Sequence, residues 1–161
     1  MRSMYRTPSK YIQELGFRSK LEAIVNQQLV KSKVRFSYEG NLNLIRYEVP
    51  RSKHRYLADF LLSNGIIIEA KGLFDSNDRM KHLLIKEQYP ILDIRFLFQN
   101  SRKKIRKGSK TTYASWCNKN GFLYCDMVIP DEWLSEKKDK DELEEIISTL
   151  KRFGGGDAKS R

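Results

Sequence analysis

Between Tyr56 and Gly72 the chain runs Tyr-Leu-Ala-Asp-Phe-Leu-Leu-Ser-Asn-Gly-Ile-Ile-Ile-Glu-Ala-Lys-Gly. Three charged residues, Asp59, Glu69 and Lys71, interrupt segments that are otherwise strongly apolar. A charge in a near-core strand is costly unless it is paired or binds a metal ion. Glu69 and Lys71 are two apart, so they project from the same face of one strand. Asp59 joins that face in only one hairpin register. A two-residue Asn64-Gly65 turn sets it opposite Ala70, facing away from Glu69. A three-residue Ser63-Asn64-Gly65 loop sets it opposite Glu69, and Gly65 fits the left-handed position such loops favour, which predicts the second register. In that register two carboxylates and the Ala70 backbone carbonyl offer hard oxygen ligands, of the kind Mg²⁺ takes while keeping several waters. A cation there lowers the pKa of a water and offsets charge on a phosphate. Lys71 stands beside it to orient the nucleophile or stabilise the charge that develops. Taken alone, Glu69 and Lys71 also fit an exposed ion pair on an edge strand.

This Asp…Glu-x-Lys arrangement resembles the signature of the PD-(D/E)xK nuclease superfamily, with Ala58 where that name puts Pro. The elements around it read as mixed α/β with one central sheet. Ser19 and Glu22 have the form of a capping box, opening a helix that buries Leu21, Ile24, Val25 and Leu29 and fades near Lys33. Residues 34–38 alternate as a half-buried strand, and 42–49 form a second extended stretch ended by Pro50. Residues 51–55 read as a basic loop, and 56–62 and 66–70 as the strands of the hairpin. Asp75, Ser76, Asn77 and Asp78 supply N-caps for a helix over 79–88, stopped by Pro90. Residues 94–98 read as a buried strand, completing a parallel, right-handed crossover. A short helix over 112–120 ends at Gly121, and one more strand falls within 122–128. Leu143, Ile146, Ile147 and Leu150 stripe a C-terminal amphipathic helix.

The chain has 161 residues, which suits one domain of roughly 150 residues with ragged ends. Hydrophobic residues make up 40% and aromatic ones 11%, enough for a packed core. Lys and Arg number 31 against 20 Asp and Glu, a net charge of +11 that points to a polyanionic partner. No apolar run approaches the ~20 residues of a membrane span, and the opening Met-Arg-Ser-Met-Tyr-Arg lacks the apolar stretch of a secretory signal. Cys117 and Cys125 have no zinc-ligand spacing and read as reduced thiols, and Trp116 and Cys117 as core.

More of the chain carries a closer resemblance. Phe17-Arg18-Ser19-Lys20-Leu21-Glu22, Asp59-Phe60-Leu61-Leu62 and Glu69-Ala70-Lys71-Gly72-Leu73 recur in one family. So do residues 81–88, Ser101-Arg102, Lys107-Gly108-Ser109, Ile129-Pro130 and Glu132-Trp133. Over residues 17–134 the chain resembles the phage endonuclease I family, Holliday-junction resolvases of T-seven-like phages. The resemblance implies a restriction-endonuclease-like core with a central mixed sheet, probing four-way and other branched DNA as an intertwined, domain-swapped homodimer. It implies Glu22, Asp59, Glu69 and Lys71 as catalytic positions in composite sites, the helix carrying Glu22 coming from one subunit and the sheet residues from the other, with Glu22 a candidate ligand of a second metal ion. The cofactor it implies is Mg²⁺, with Mn²⁺ as a substitute and no organic cofactor. It implies nicks that leave 5′-phosphates, and action in the cytoplasm of a bacterial host from a phage or prophage gene. Residues 42–50 would be the exchanged β-bridge, although an ordinary meander within one subunit explains the same alternation. On its residues alone, Glu22 is the partner in a capping box. The expected layout is a basic arm over 1–16, a nuclease domain over 17–134, a helix over 135–153 outside the recognised pattern, and a disordered tail over 154–161.

Arg51, Lys53, His54 and Arg55 precede the hairpin and stand where they could touch phosphates near the scissile bond. Arg102, Lys103, Lys104, Arg106 and Lys107 form a denser cluster, with Ser109, Thr111 and Thr112 as further donors. Arg18, Lys81 and His82 are further candidates for the DNA face, His82 reading equally as a structural histidine. Two rival functions remain open at this stage, a sequence- or mismatch-directed nuclease and a non-catalytic DNA-binding protein on the same scaffold.

Overall fold

The computed structural model describes residues 16–49 and 52–154. Most of the expected N-terminal arm, Pro50, Arg51 and the tail beyond Gly154 lie outside them. In chain order the elements are α1 (Lys20–Lys31), β1 (Phe36–Tyr38), a 3₁₀ turn (Asn41–Asn43), β2 (Leu44–Val49), β3 (Ser52–Leu57), β4 (Phe60–Leu62) and β5 (Ile67–Lys71). There follow α2 (Ser76–Gln88), β6 (Ile94–Phe98), α3 (Tyr113–Asn120), β7 (Tyr124–Asp126), α4 (Asp131–Ser135) and α5 (Lys140–Gly154). The central sheet has the order β1-β4-β5-β6-β7, antiparallel from β1 to β5 and parallel from β5 to β7. The expected mixed sheet flanked by helices is therefore present. No helix among the described residues is long and apolar enough to cross a membrane.

Alternation along β4 and β5 divides the core. Phe60, Leu62, Ile66 and Ile68 face α1, where Leu21, Val25 and Leu29 are buried against them. Ser19 caps α1 by accepting the Glu22 N–H at 3.1 Å. On the other side, Leu61 and Ile67 pack with Ile85 of α2, Ile94 of β6, and Ile146, Leu150 and Phe153 of α5. The C-terminal helix thus belongs to the core of its own chain. Its buried stripe sits further along than expected, with Phe153 in place of the half-buried Leu143 and Ile147. The hairpin backs onto this helix: Gly65 has φ +83°, and a Cβ there would lie 3.0 Å from Leu143 Cδ1. A third cluster of Phe74, Phe96, Phe98, Tyr113, Trp116, Cys117 and Phe122 closes the far end under α3.

Two expectations fail, each for its own reason. The segment expected as a loop over 51–55 is β3 from Ser52 onward, paired antiparallel with β2 from Val49↔Ser52 to Leu44↔Leu57. The segment expected as one strand over 56–62 breaks at Ala58 and Asp59, between β3 and β4. A two-stranded ribbon has little core to face, so its polar side chains carry no strand signal. The break depends on a residue distant in sequence. Asn43, 1% exposed, donates its amide to the carbonyls of Ala58 at 3.0 Å and Ser37 at 3.1 Å. The Asn43 carbonyl accepts the Ala58 N–H at 2.8 Å. Asn43→Ala leaves those buried carbonyls without their donor, at a cost of about 2 kcal/mol. We expect the urea midpoint to fall with the m-value unchanged, and the melting temperature to drop by ~4–8 °C.

Candidate active site

The register Phe60↔Ile68 and Leu61↔Ile67 continues to Asp59 opposite Glu69. The three-residue loop that sets it is closed by Leu62 N–H to Ile66 O at 2.9 Å and Gly65 N–H to Leu62 O at 3.0 Å. The expected juxtaposition is therefore present. At the end of β4 the ladder changes character. The Ala58 carbonyl, next in line for β5, is taken by Asn43, and the Asp59 carboxylate accepts the Ala70 N–H at 2.9 Å. The Asp59 carbonyl accepts the Glu39 N–H at 2.9 Å. Burial, and then the negative charge of Glu69, push the Asp59 carboxyl up to about 8.

Glu69 is 1% exposed, and both its oxygens are occupied. Lys71 Nζ lies 2.8 Å from Oε1, and the Tyr56 hydroxyl donates to Oε2. Lys71 also reaches Asp78 Oδ1 at 3.2 Å, and Lys81 Nζ reaches the same oxygen at 3.1 Å. Lys81 Nζ then sits 4.1 Å from the centre of the Tyr56 ring, so the network closes on itself. Burial alone would lower the Lys71 ammonium, but the charges of Glu69 and Asp78 outweigh it and hold the group well above its ordinary range. Burial likewise works against ionised Asp78, yet Lys71 and Lys81 bring its carboxyl below the usual value. Asp78 and Tyr56 are the two members of this network that sequence reasoning missed. Asp78 was visible only as an N-cap candidate, but the cap is Asp75, which accepts the Asp78 N–H at 2.9 Å and frees the Asp78 carboxylate. Tyr56, three residues before Asp59, read simply as a strand aromatic.

Glu22 makes the expected cap contact and more. Its carboxylate accepts the Ser19 hydroxyl at 2.7 Å, the Arg18 N–H at 3.0 Å and the Tyr38 hydroxyl at 2.5 Å. The return bond goes to Arg18 rather than to the Ser19 N–H, a variant of the capping box. Its charge is close enough to raise Asp59 further, so Glu22, Asp59, Glu69 and Lys71 gather within one chain. All the candidate ligands are hard oxygens, which suits Mg²⁺ or Mn²⁺. Among the described residues no group of three or more His, Cys, Asp and Glu side chains is gathered closely enough to hold a metal ion.

The candidate DNA contacts divide. Arg51 lies outside the described residues. Lys53, His54 and Arg55 are exposed on β3, with the His54 ring stacked on Tyr47 at 5.4 Å. Arg102, Lys103, Lys104, Arg106 and Lys107 are all exposed, and none takes part in an ion pair among the described residues. Their loop is fixed at its start by the Asp126 carboxylate, which accepts the Ser101 N–H and hydroxyl at 2.9 and 3.0 Å. A bridge between Lys104 and Thr112 ties its two arms. Ser109 accepts the Thr111 N–H at 3.0 Å, and Thr112 spends its hydroxyl capping α3. Arg18 is paired with Glu39, and Lys81 with Asp78. His82 is the clear correction: it is fully buried between Tyr56 and Phe96, out of reach of any DNA. Burial, and then the Lys81 and Lys71 charges, hold its imidazole well below the ordinary range.

A family model for phage endonuclease I matches residues 3–152. Endonuclease I of Escherichia phage T7 is 47% identical over 148 residues, spanning 91% of this chain and 95% of that relative. Endodeoxyribonuclease 1 of Enterobacteria phage T3 is 53% identical over 123 residues, spanning 76% of this chain and 80% of that relative. The match runs past residue 134, where the resemblance read from the sequence stopped, and takes in nearly all of α5. The chain belongs to the phage endonuclease I family.

Proposed function

We propose that the chain is a structure-selective endodeoxyribonuclease that resolves four-way and other branched DNA junctions by metal-dependent phosphodiester hydrolysis, its paired nicks leaving 5′-phosphates. The observation that carries this reading is Asp59 opposite Glu69 across the hairpin, with Lys71 bound on the Glu69 side. Two relatives named for endonuclease activity support it. Asp59 and Glu69, with the Ala70 carbonyl and Glu22, would hold Mg²⁺ or Mn²⁺. The raised Asp59 carboxyl supports that assignment, since burial and then the charge of Glu69 make its ionised form costly, a cost that a divalent cation would relieve. Bound there, the cation supplies a water of lowered pKa and offsets charge on the phosphate.

The chain's own residues do the rest. Lys71 keeps its proton and can turn from Glu69 and Asp78 towards the scissile phosphate. Tyr56 keeps Glu69 in place through its second oxygen. The β3 cations and the loop over 102–107 grip phosphates on either side without reading sequence. A homodimer would set a pair of such sites on a nearly two-fold junction; if it is intertwined through β2, the partner's α1–β1 segment takes the place that the chain's own segment holds here, so each site keeps one Glu22. The setting is the cytoplasm of a phage's bacterial host.

Cleavage of an immobile four-way junction beside its linear duplex arms, in Mg²⁺, tests the reading. Wild type is expected to place paired, near-symmetric nicks by the branch point and leave the arms intact. Asp59→Asn and Lys71→Ala should each slow cleavage by roughly 10²–10³-fold or more while still shifting the junction in a gel. Equal cutting of the arms would make it a sequence- or mismatch-directed nuclease. Tight binding with no cutting by wild type would make it a DNA-binding protein only.

Stability without metal gives a second test. The folded Asp59 carboxyl takes its proton near 8, against an ordinary value of 3.8. The stability tied to its neutral form is therefore intact below pH 3.8 and lost as pH rises to about 8. Asp59→Asn keeps an acceptor for the Ala70 N–H and removes the charge. In metal-free buffer at pH 8 it should be the more stable protein, by on the order of 1–3 kcal/mol. Added Mg²⁺ should raise the wild-type melting temperature more at pH 8 than at pH 6, and that of Asp59→Asn little at either. A less stable Asp59→Asn at pH 8 contradicts this account.

A further inference from the structure

Lys71 is committed inside the protein, with Nζ 2.8 Å from Glu69 Oε1 and 3.2 Å from Asp78 Oδ1. If it moves onto a phosphate, as the proposed function requires, Glu69 Oε1 loses its nearest donor. Glu69 is 1% exposed, so bulk water does not fill the gap. A buried carboxylate that loses a partner becomes costly and free to swing.

His82 stands beside the same oxygen. It lies on α2 one turn past Asp78, with Nε2 3.9 Å from Glu69 Oε1. Its ring is held edge-on by Tyr56, centroids 5.2 Å apart, and by Phe96 at 4.8 Å. Neither ring nitrogen has a hydrogen-bond partner, and they are the only buried side-chain polar atoms so placed among the described residues. A buried polar group without a partner calls for an explanation. The gap to Oε1 is about 1 Å longer than a hydrogen bond and closes with a small side-chain shift. Asp78 and Lys81 are already satisfied by each other and by Lys71, which leaves His82 as the uncommitted donor beside Glu69.

We propose that His82 is a positioning residue, whose Nε2–H takes over Glu69 Oε1 when Lys71 turns to the DNA and so keeps that carboxylate aimed during hydrolysis. The Tyr56 hydroxyl holds the other oxygen throughout, so the exchange frees the lysine without freeing the glutamate. The inference rests on the endonuclease reading, and it requires the Nε2–H tautomer of His82.

Three proteins test it: wild type, His82→Leu, which keeps bulk and removes the donor, and His82→Gln, which returns an N–H at similar reach. In single-turnover cleavage His82→Leu should lose roughly 10–100-fold in rate with junction affinity unchanged, and His82→Gln should recover most of it. Mn²⁺ titration followed by electron paramagnetic resonance, with no DNA present, should show binding weakened by about 10-fold in His82→Leu and restored in His82→Gln. In ¹⁵N spectra of wild type, His82 should be the Nε2–H tautomer, with that proton moving downfield when Mg²⁺ and a junction are added. An Nδ1–H tautomer overturns the proposal even if the leucine variant does not fold. Wild-type behaviour of His82→Leu in both assays overturns it too, and so does a glutamine variant as impaired as the leucine one. A wild type that neither binds Mn²⁺ nor cuts overturns the endonuclease reading first, and this inference with it.

Discussion

Glu69 carries a carboxylate almost wholly removed from water in the middle of a sheet, and a charge so placed has to be neutralised by its neighbours. Lys71 comes from the same strand face two residues on, Tyr56 from the end of the β3 ribbon, and Asp78 and Lys81 from the first turns of α2. Each of those elements has to arrive at one place for the carboxylate to be tolerable. The crossover from β5 through α2 to β6 brings Asp78 back over Lys71, and the ribbon delivers Tyr56. Losing Lys71 alone would take the nearest cation from Glu69 while Asp78 kept Lys81, the kind of loss that costs about 3–5 kcal/mol in a buried pair.

Around that centre the electrostatics run in opposite directions. The chain's net charge is +11, and β3 and the loop over 102–107 carry exposed cations that act at a distance on a phosphate backbone. The centre gathers carboxylates, and burial, then the charge of Glu69 and more weakly that of Glu22, keep the proton on Asp59 until about pH 8. Carboxylates repel the phosphates that the surface cations attract, a conflict that a divalent cation would remove under the function proposed above.

Local chemistry made part of this legible in advance. The Ser63-Asn64-Gly65 loop fixes the Asp59–Glu69 register because a left-handed glycine and a three-residue length leave few alternatives, and the structure has that register. Ser19 and Glu22 announced α1, and Gly121, at φ +67°, its counterpart at the end of α3. The ribbon was illegible because Ser52 to Arg55 pair with β2 through backbone groups while their side chains face water. The break at Ala58 was illegible because Asn43 imposes it from fifteen residues away. Asp78 hid among four N-cap candidates, and His82 among the polar residues of a helix whose buried side held few apolar ones. What the sequence showed was turn chemistry and strand alternation; what it concealed were contacts between elements.

Two of the concealed features share a physical meaning. Asp59 keeps a proton it would lose in water, and His82 keeps two ring nitrogens without partners, both within the packing around Glu69. Elsewhere among the described residues buried polar groups are satisfied, as Arg95 is by Asp93 and Glu136 at 2.6 and 2.8 Å. The two cases differ in kind: the Asp59 carboxylate has the Ala70 N–H as a partner and is raised first by burial, whereas the His82 ring has no partner at all. Both lower the stability of the free protein, since a buried charge without a counter-charge and a buried polar group without a hydrogen bond each carry a penalty that a matching neighbour would remove.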